Sequence, residues 1–201
     1  LLIRSDTTDG STTFTDSSDE GHTVTRNGGA KHFAPKFGRS AMHLDGTGDL
    51  LDFADSDDWY FGADDWTIEF WVNLSELGTE QTFWHQRYDS SNTWGIFKNA
   101  SNQWVIRTAS EADTMYWNWS PSADTWYHIA FVGDGGEISL YIDGVDQGAV
   151  DGGDATFTVP QIAARVRIGA RHHADYYFNG YLDEIRISKG VARTDAGQDL
   201  A

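Results

Sequence analysis

The chain of 201 residues carries 31 acidic against 14 basic side chains, a formal net charge of −17, and no cysteine. Nucleic-acid phosphates and anionic lipid repel such a surface, and without cysteine no disulfide, thiolate metal site or cysteine nucleophile can form. Aromatic residues make up 14% of the chain and include nine tryptophans, enough bulk for one sizeable core, while no apolar run reaches the roughly 20 residues of a membrane-spanning helix.

Residues 5–40 are irregular. Beyond them, short alternating segments are separated by clusters of Gly, Asp, Asn and Ser. "AMHLDG" (41–46) and "LLDFA" (50–54) are the first candidate strands. "DSDDWYFG" (55–62) is the best helical candidate, a short turn with Asp55 or Ser56 as N-cap. "WTIEFWVNL" (66–74) puts Trp66, Ile68, Phe70, Val72 and Leu74 on one face and Thr67, Glu69, Trp71 and Asn73 on the other. "QTFWHQRY" (81–88), "TWGIFKN" (93–99) and "NQWVIRTA" (102–109) follow. "TWYHIAFVGD" (125–134) alternates less cleanly, as a strand buried on both sides would.

"EISLYIDG" (137–144) sets Ile138, Leu140 and Ile142 against Ser139 and Tyr141 and runs into an Asp143-Gly144 turn, the mark of a hairpin. "RVRIGA" (165–170) sets Val166 and Ile168 against Arg165 and Arg167. "GYLDEIRIS" (180–188) puts Ile185 and Ile187 on one face, Leu182, Glu184 and Arg186 on the other. By that alternation Asp183 shares the face of the isoleucines. An unpaired buried charge costs several kcal/mol, so either a partner neutralises Asp183 or the alternation breaks there. The tail after Ser188 is again irregular. Ten or more short strands and no long amphipathic helix predict a single all-β domain over 1–201, with Ile68, Phe70, Val72, Leu140, Ile142, Ile168, Ile185 and Ile187 in its core. The start at Leu1, with neither Met nor signal peptide, is expected of a piece cut from a longer polypeptide.

The order of these segments resembles a known group. "FGRSAMHLDGTGDLLDF", "DDWTIEFWV", "TWYHIAFVGDGGEISLYIDG", "VRIGA" and "NGYLDEIRIS" follow one another as in the laminin G-like jelly rolls of the concanavalin A-like lectin and glucanase superfamily. The opening "DTTDGSTTFTDSS" with "HTVTRNGGA" resembles versions found in bacteriophage tail and other virion proteins. The resemblance implies a two-sheet antiparallel jelly-roll β-sandwich of the concanavalin A-like kind, located extracellularly or on a virion. It also implies a structural Ca²⁺, held by Asp183 with Asp6, or with Asp9 in its place. Two carboxylates supply at most four of the 6–8 oxygens calcium takes, so backbone carbonyls and waters complete the shell. The alternative for Asp183 is a nearby Arg or a turn that it caps.

Such folds host lectins, adhesion modules, glycosidases and lyases. The E-x-D-x-x-E and E-x-D-x-E motifs of the superfamily's retaining glycosidases are absent, and Glu69, which could face the concave groove, has no acid two or four residues away. Related lyases use a His or Tyr base with an Arg or Gln, and His85, Arg87 and Tyr88 of "WHQRY" offer that set as the alternative, catalytic reading. His128 matches the family's structural histidine. The leading expectation is a non-catalytic carbohydrate-binding or adhesion module. Trp84, Tyr88, Trp94, Tyr116, Trp117, Trp119, His172, His173, Tyr176 and Tyr177 cluster in polar loops, where aromatic rings stack on sugars and polar groups take hydroxyls. The expected partner is a glycan or polysaccharide, beside other domains of a longer chain and a possible second copy; nucleic acid and membrane insertion are not expected. A purely structural virion domain is the third reading.

Overall fold

The computed structural model describes residues 1–33, 40–108, 113–153, 156, 158–173 and 175–194, with the backbone alone at 113 and 114. Residues 37–39 of the first family segment, Ala109 of the "NQWVIRTA" strand and the end of the tail lie outside them.

Among the described residues, sixteen short strands form two eight-stranded sheets, and every ladder is antiparallel. In chain order they are β1 (Leu2–Ile3), β2 (Val24–Asn27), β3 (Lys31–Phe33), β4 (Ala41–Asp45), β5 (Leu50–Phe53), β6 (Trp66–Leu74), β7 (Gln81–Arg87) and β8 (Thr93–Lys98). There follow β9 (Trp104–Arg107), β10 (Asp113–Trp117), β11 (Trp126–Asp134), β12 (Glu137–Ile142), β13 (Val145–Asp146), β14 (Gly152–Gly153), β15 (Val166–Ile168) and β16 (Asn179–Lys189). One sheet runs β13-β12-β11-β6-β16-β4-β3, with β1 also on β16; the other runs β14-β10-β9-β8-β7-β15-β5-β2. This is the jelly-roll sandwich the segment order implied. The helical candidate is a single 3₁₀ turn, Asp57–Trp59, whose N-cap Ser56 accepts the Asp58 N–H on its hydroxyl at 3.2 Å.

The core lies between the sheets, and all eight residues expected there are buried in it. Alternation decides which side chains meet. Ile68, Phe70 and Val72 of β6 share one buried cluster with Ile168 of β15 and Phe83 of β7, and the Phe70 ring lies on Phe83 at 3.5 Å. The Asp143-Gly144 turn closes the β12–β13 hairpin with positive φ at both residues (50° and 75°), as a type I′ turn requires. The strand at 125–134 is buried from His128 to Gly133, because the segment 191–193 covers its outer face: Ala192 packs on Ala130 and Val132, and Thr67 binds the Val191 carbonyl and the Arg193 N–H.

The alternation in "GYLDEIRIS" does break. Against β6, Asp183 pairs with Trp71 and Arg186 with Glu69, so two residues of β16 oppose Phe70 alone. The bulge puts Glu184 at φ 46° and brings Leu182 into the core beside Ile185 and Ile187, rather than opposite them. It falls where β16 exchanges one edge partner for another, from β4 at Leu182 to β1 at Ile185. Asp183 is buried there, its Oδ1 accepting the Glu184 N–H at 2.9 Å.

Candidate functional site

The register of the second sheet builds a polar row on its outer face. Asp52 of β5 sits between Thr25 of β2 and Arg167 of β15; Arg167 lies beside His85 of β7, His85 beside Gly95 of β8, and Gly95 beside Arg107 of β9. Leu51, Ile168 and Trp84, one residue along, belong to the core, so this row faces away from it. Two residues further, Arg165 and Arg87 share the same outward face. Arg167 donates from Nε to Asp52 Oδ1 at 2.9 Å, while Asn27 (3.2 Å) and Arg165 (3.4 Å) reach Oδ2. Arg167 also donates to the carbonyls of Arg171 and His172, which ties the loop after β15 to the sheet.

His85 fixes that loop a second time. Its Nδ1 accepts the His172 N–H at 2.8 Å, so Nε2 carries the proton and faces the Thr93 hydroxyl at 3.1 Å. Burial, and then the charges of His172, Arg171, Arg87 and Arg167, push its pKa down to about 3. Residue 95 must be Gly, because a Cβ there would stand 2.9 Å from the His85 ring and 2.7 Å from both Phe97 and the Trp84 carbonyl. A neutral imidazole whose lone pair is already taken is unsuited to the base role of the lyase alternative. His85 is a positioning residue.

Beyond the row lies a groove of about 570 Å³, lined by Thr25, Asp52, Phe53, Ala54, Asp55, Arg87, Tyr88, Ala163, Ala164, Arg165 and His172. That size falls within the usual range of small-molecule sites. One wall is the segment 161–164, held by Gln86, whose Nε2 donates to the Ile162 and Ala164 carbonyls at 2.9 and 3.0 Å. The other is Tyr88, 69% exposed, just past the end of β7. Its turn is braced by Asp89, whose Oδ1 accepts the N–H groups of Ser91 and Asn92 at 2.8 and 2.9 Å. Because β7 stops at Arg87, Tyr88 joins Arg87 and His172 at the groove, although strand alternation puts it on the opposite face with Gln86. Two smaller depressions adjoin, one under Tyr60 and one between Tyr88, Asn92 and Gln161.

Not all the predicted aromatics arrive there. Trp84 and Trp94 are fully buried and Trp117 is 1% exposed; their rings pack in the sandwich, so no face is open to a ligand. Tyr116 lies on β10, three strands from β7, and half-buried Trp119, just past β10, stacks on Trp104 at 5.6 Å. Tyr176 supports the His172 loop, with the Arg171 guanidinium 4.4 Å above its ring and that guanidinium bound bidentately by Asp175 at 2.8 Å. His173 is exposed beside His172, and Tyr177 is half-buried in the same connection. Asp52 and Arg165, central to the groove, were not among the expected ligand residues. Their signal was present in "RVRIGA", whose two arginines share an outward face, and in "LLDFA", where an acid interrupts an apolar run.

Glu69 is fully buried under the segment 191–193, with Arg186 Nε at 2.5 Å, His128 Nε2 at 3.4 Å and Arg193 Nε at 3.7 Å. Burial raises its pKa, but the close approach of His128, the Arg186 hydrogen bond and the charges of both outweigh this and hold it below the usual carboxylate range. It is part of a structural ion network and has no access to a sugar in a groove. His128, for which the resemblance implied a structural role, is buried beside Glu69.

Of the carboxylates expected to hold calcium, Asp183 sits at the bulge. Asp6 is exposed, and its charge, after burial, helps to raise the pKa of Glu184, the neighbour of Asp183. Glu184 is 3.6 Å from Arg4. Asp9 is exposed beside the turn at Gly10. Among the described residues, no three acidic or histidine side chains converge, so an ion there must draw mainly on backbone oxygens and water. The acid that anchors the N-terminal strand is Asp16, which no motif in the sequence marks. Its oxygens accept the N–H groups of Leu2, Ser18 and His22 at 2.8–2.9 Å. Burial pushes its pKa up, but those bonds outweigh it and leave the carboxyl below its ordinary range.

A family model described as the concanavalin A-like lectin/glucanases superfamily matches residues 45–196. No curated protein matches the chain. Among solved structures, domain 4 of AbnA, a GH43 extracellular arabinanase from Geobacillus stearothermophilus in complex with arabinotriose, is 23% identical, with a TM-score of 0.64 over 90% of this chain and 88% of that one. The binding domain of botulinum neurotoxin serotype G is 14% identical, with a TM-score of 0.71 over 98% of this chain and 49% of that one. The binding domain of Paraclostridial Mosquitocidal Protein 1 is 14% identical, with a TM-score of 0.70 over 96% and 49%. The chain thus spans about half the length of the toxin binding domains it resembles.

Proposed function

The chain belongs to the concanavalin A-like lectin/glucanases superfamily, and we propose that within it this domain is a non-catalytic glycan-binding module of a larger extracellular or virion protein. The groove beside Tyr88 carries this reading. An exposed aromatic ring stands against a wall held by Gln86, with arginine, aspartate and histidine side chains on the floor. Sugars need that combination, an apolar face for C–H groups and fixed polar atoms for hydroxyls. The neutral, engaged His85 and the sequestered Glu69 favour binding over hydrolysis or elimination. The arabinotriose bound to domain 4 of the extracellular arabinanase supports both the ligand class and the extracellular setting. A site this open binds at roughly micromolar to millimolar Kd, about −8 to −4 kcal/mol, so adhesion gains from several copies.

Replacing Tyr88 by Ala is expected to weaken glycan binding about tenfold or more while leaving the melting temperature nearly unchanged, because most of the ring is in water. A glycan array followed by calorimetry on the hits reads the first, a thermal melt the second. Appearance of unsaturated or reducing-end products during the same incubation would reject the non-catalytic reading.

The same proposal includes a structural Ca²⁺ at Asp183 and Asp6, with backbone oxygens completing the shell. The β16 bulge supports it, since it buries one carboxylate where the N-terminal strand joins the sheet. An ion bound only by the folded state stabilises by mass action, about 2.7 kcal/mol at a hundredfold excess over Kd. Chelation is therefore expected to lower the melting temperature of the wild type, and Asp183→Ala to remove most of that difference. Identical melts in calcium and in chelator, with no ion found by elemental analysis, would mean that protein groups alone satisfy Asp183.

A further inference from the structure

On a chain of net charge −17, the groove is a place where arginines gather. Arg87 and Arg165 line it, and Arg167 stands directly behind them on the same face. The acid among them, Asp52, is already shared by Arg167, Asn27 and Arg165. Arg165 touches it only at 3.4 Å, with 55% of its side chain in water, so its planar fork is available at the groove wall. Asp55 is a second carboxylate on the lining, shared with the depression beside Tyr60. The two histidines at the Arg end report the local field. His172 is pushed down first by burial and then by Arg167, His173, Arg87 and Arg165; His85 is pushed down by burial and a similar set of cations.

A neutral sugar makes little use of such a site. A carboxylate accepts two parallel hydrogen bonds from a guanidinium, and charge-assisted bonds are about twice as strong as neutral ones. We propose that the groove selects a sugar bearing a carboxylate, with the acid group on Arg165 and Arg87, the ring against Tyr88 and a hydroxyl at His172. The inference rests on the glycan-binding reading and narrows its ligand to one chemical class, found within uronate polymers and at sialylated chain ends. The overall negative charge makes the selection local: an acidic polymer is repelled at long range and held only where the arginines reach it.

The test measures binding by calorimetry to oligogalacturonate, to its methyl ester, to sialyllactose and lactose, and to dextran sulfate. The free acid of a pair is expected to bind at least about tenfold more tightly than its ester or neutral partner, and Arg165→Gln to erase that difference with an unchanged thermal melt. A preference within the galacturonate pair points to an internal uronate, and one within the sialyllactose pair to a terminal sialate; either supports the proposal. Equal binding of acid and neutral partners, or binding of neutral oligosaccharides alone, overturns the carboxylate inference and leaves the glycan module standing. Dextran sulfate binding as tightly as the sugar acids also overturns it, since bare charge then suffices. No binding to any glycan overturns both. Arg165→Lys keeps the charge but not the fork, and full retention of the preference in that variant would reject the bidentate geometry.

Discussion

Replacing Trp94 by Ala is expected to destabilise the domain by about 3–5 kcal/mol, the range for emptying a buried aromatic site. The ring is fully buried and lies 5.9 Å from Trp84, 6.1 Å from Trp66 and 6.2 Å from Phe61, in tilted and edge-on contacts. Single domains are stable by only about 5–15 kcal/mol, so the variant should melt far earlier and unfold at much lower denaturant. Thermal and urea melts check this, with Tyr88→Ala as the contrasting exposed aromatic. A wild-type melt accompanied by lost glycan binding would mean that Trp94 serves the groove instead of the core.

Acid is expected to weaken the fold well before the carboxylates titrate. His85 has a folded pKa of about 3 against an ordinary histidine value of 6.5. Between those values the unfolded chain takes up a proton that the folded chain refuses, so stability rises with pH. It is complete above about pH 6.5 and is lost as pH falls toward 3, at up to about 1.4 kcal/mol per pH unit. His32 and His172 are also pushed down, first by burial, and add to the slope in its upper part. Asp16 and Glu69, held low, add theirs only below the ordinary carboxylate range. Urea midpoints at pH 7, 6 and 5 should therefore fall steadily, and His85→Gln should flatten the decline by close to one proton. A flat profile from pH 7 to 5 would mean that His85 takes up its proton without unfolding.

The fold was legible because its signal is local. Alternation in "WTIEFWVNL" and "EISLYIDG" puts every second side chain inward whatever the partner strand, and the Asp143-Gly144 pair dictates its hairpin by backbone sterics alone. What alternation cannot see is a broken period. The bulge that turns Asp183 out of line and carries Leu182 inward comes from an exchange of edge partners, β4 for β1, made by strands more than a hundred residues away. The same limit governed the site. Polar neighbours made Trp84, Trp94 and Trp117 look like loop aromatics, but each sits at an inward register position, and burial follows register rather than sequence neighbours. Arg87, Tyr88 and His172 could be suspected from the sequence. Their convergence with Asp52 and Arg165 needed β5, β15 and β7 laid side by side, because a groove is a property of adjacent strands and no single segment carries it.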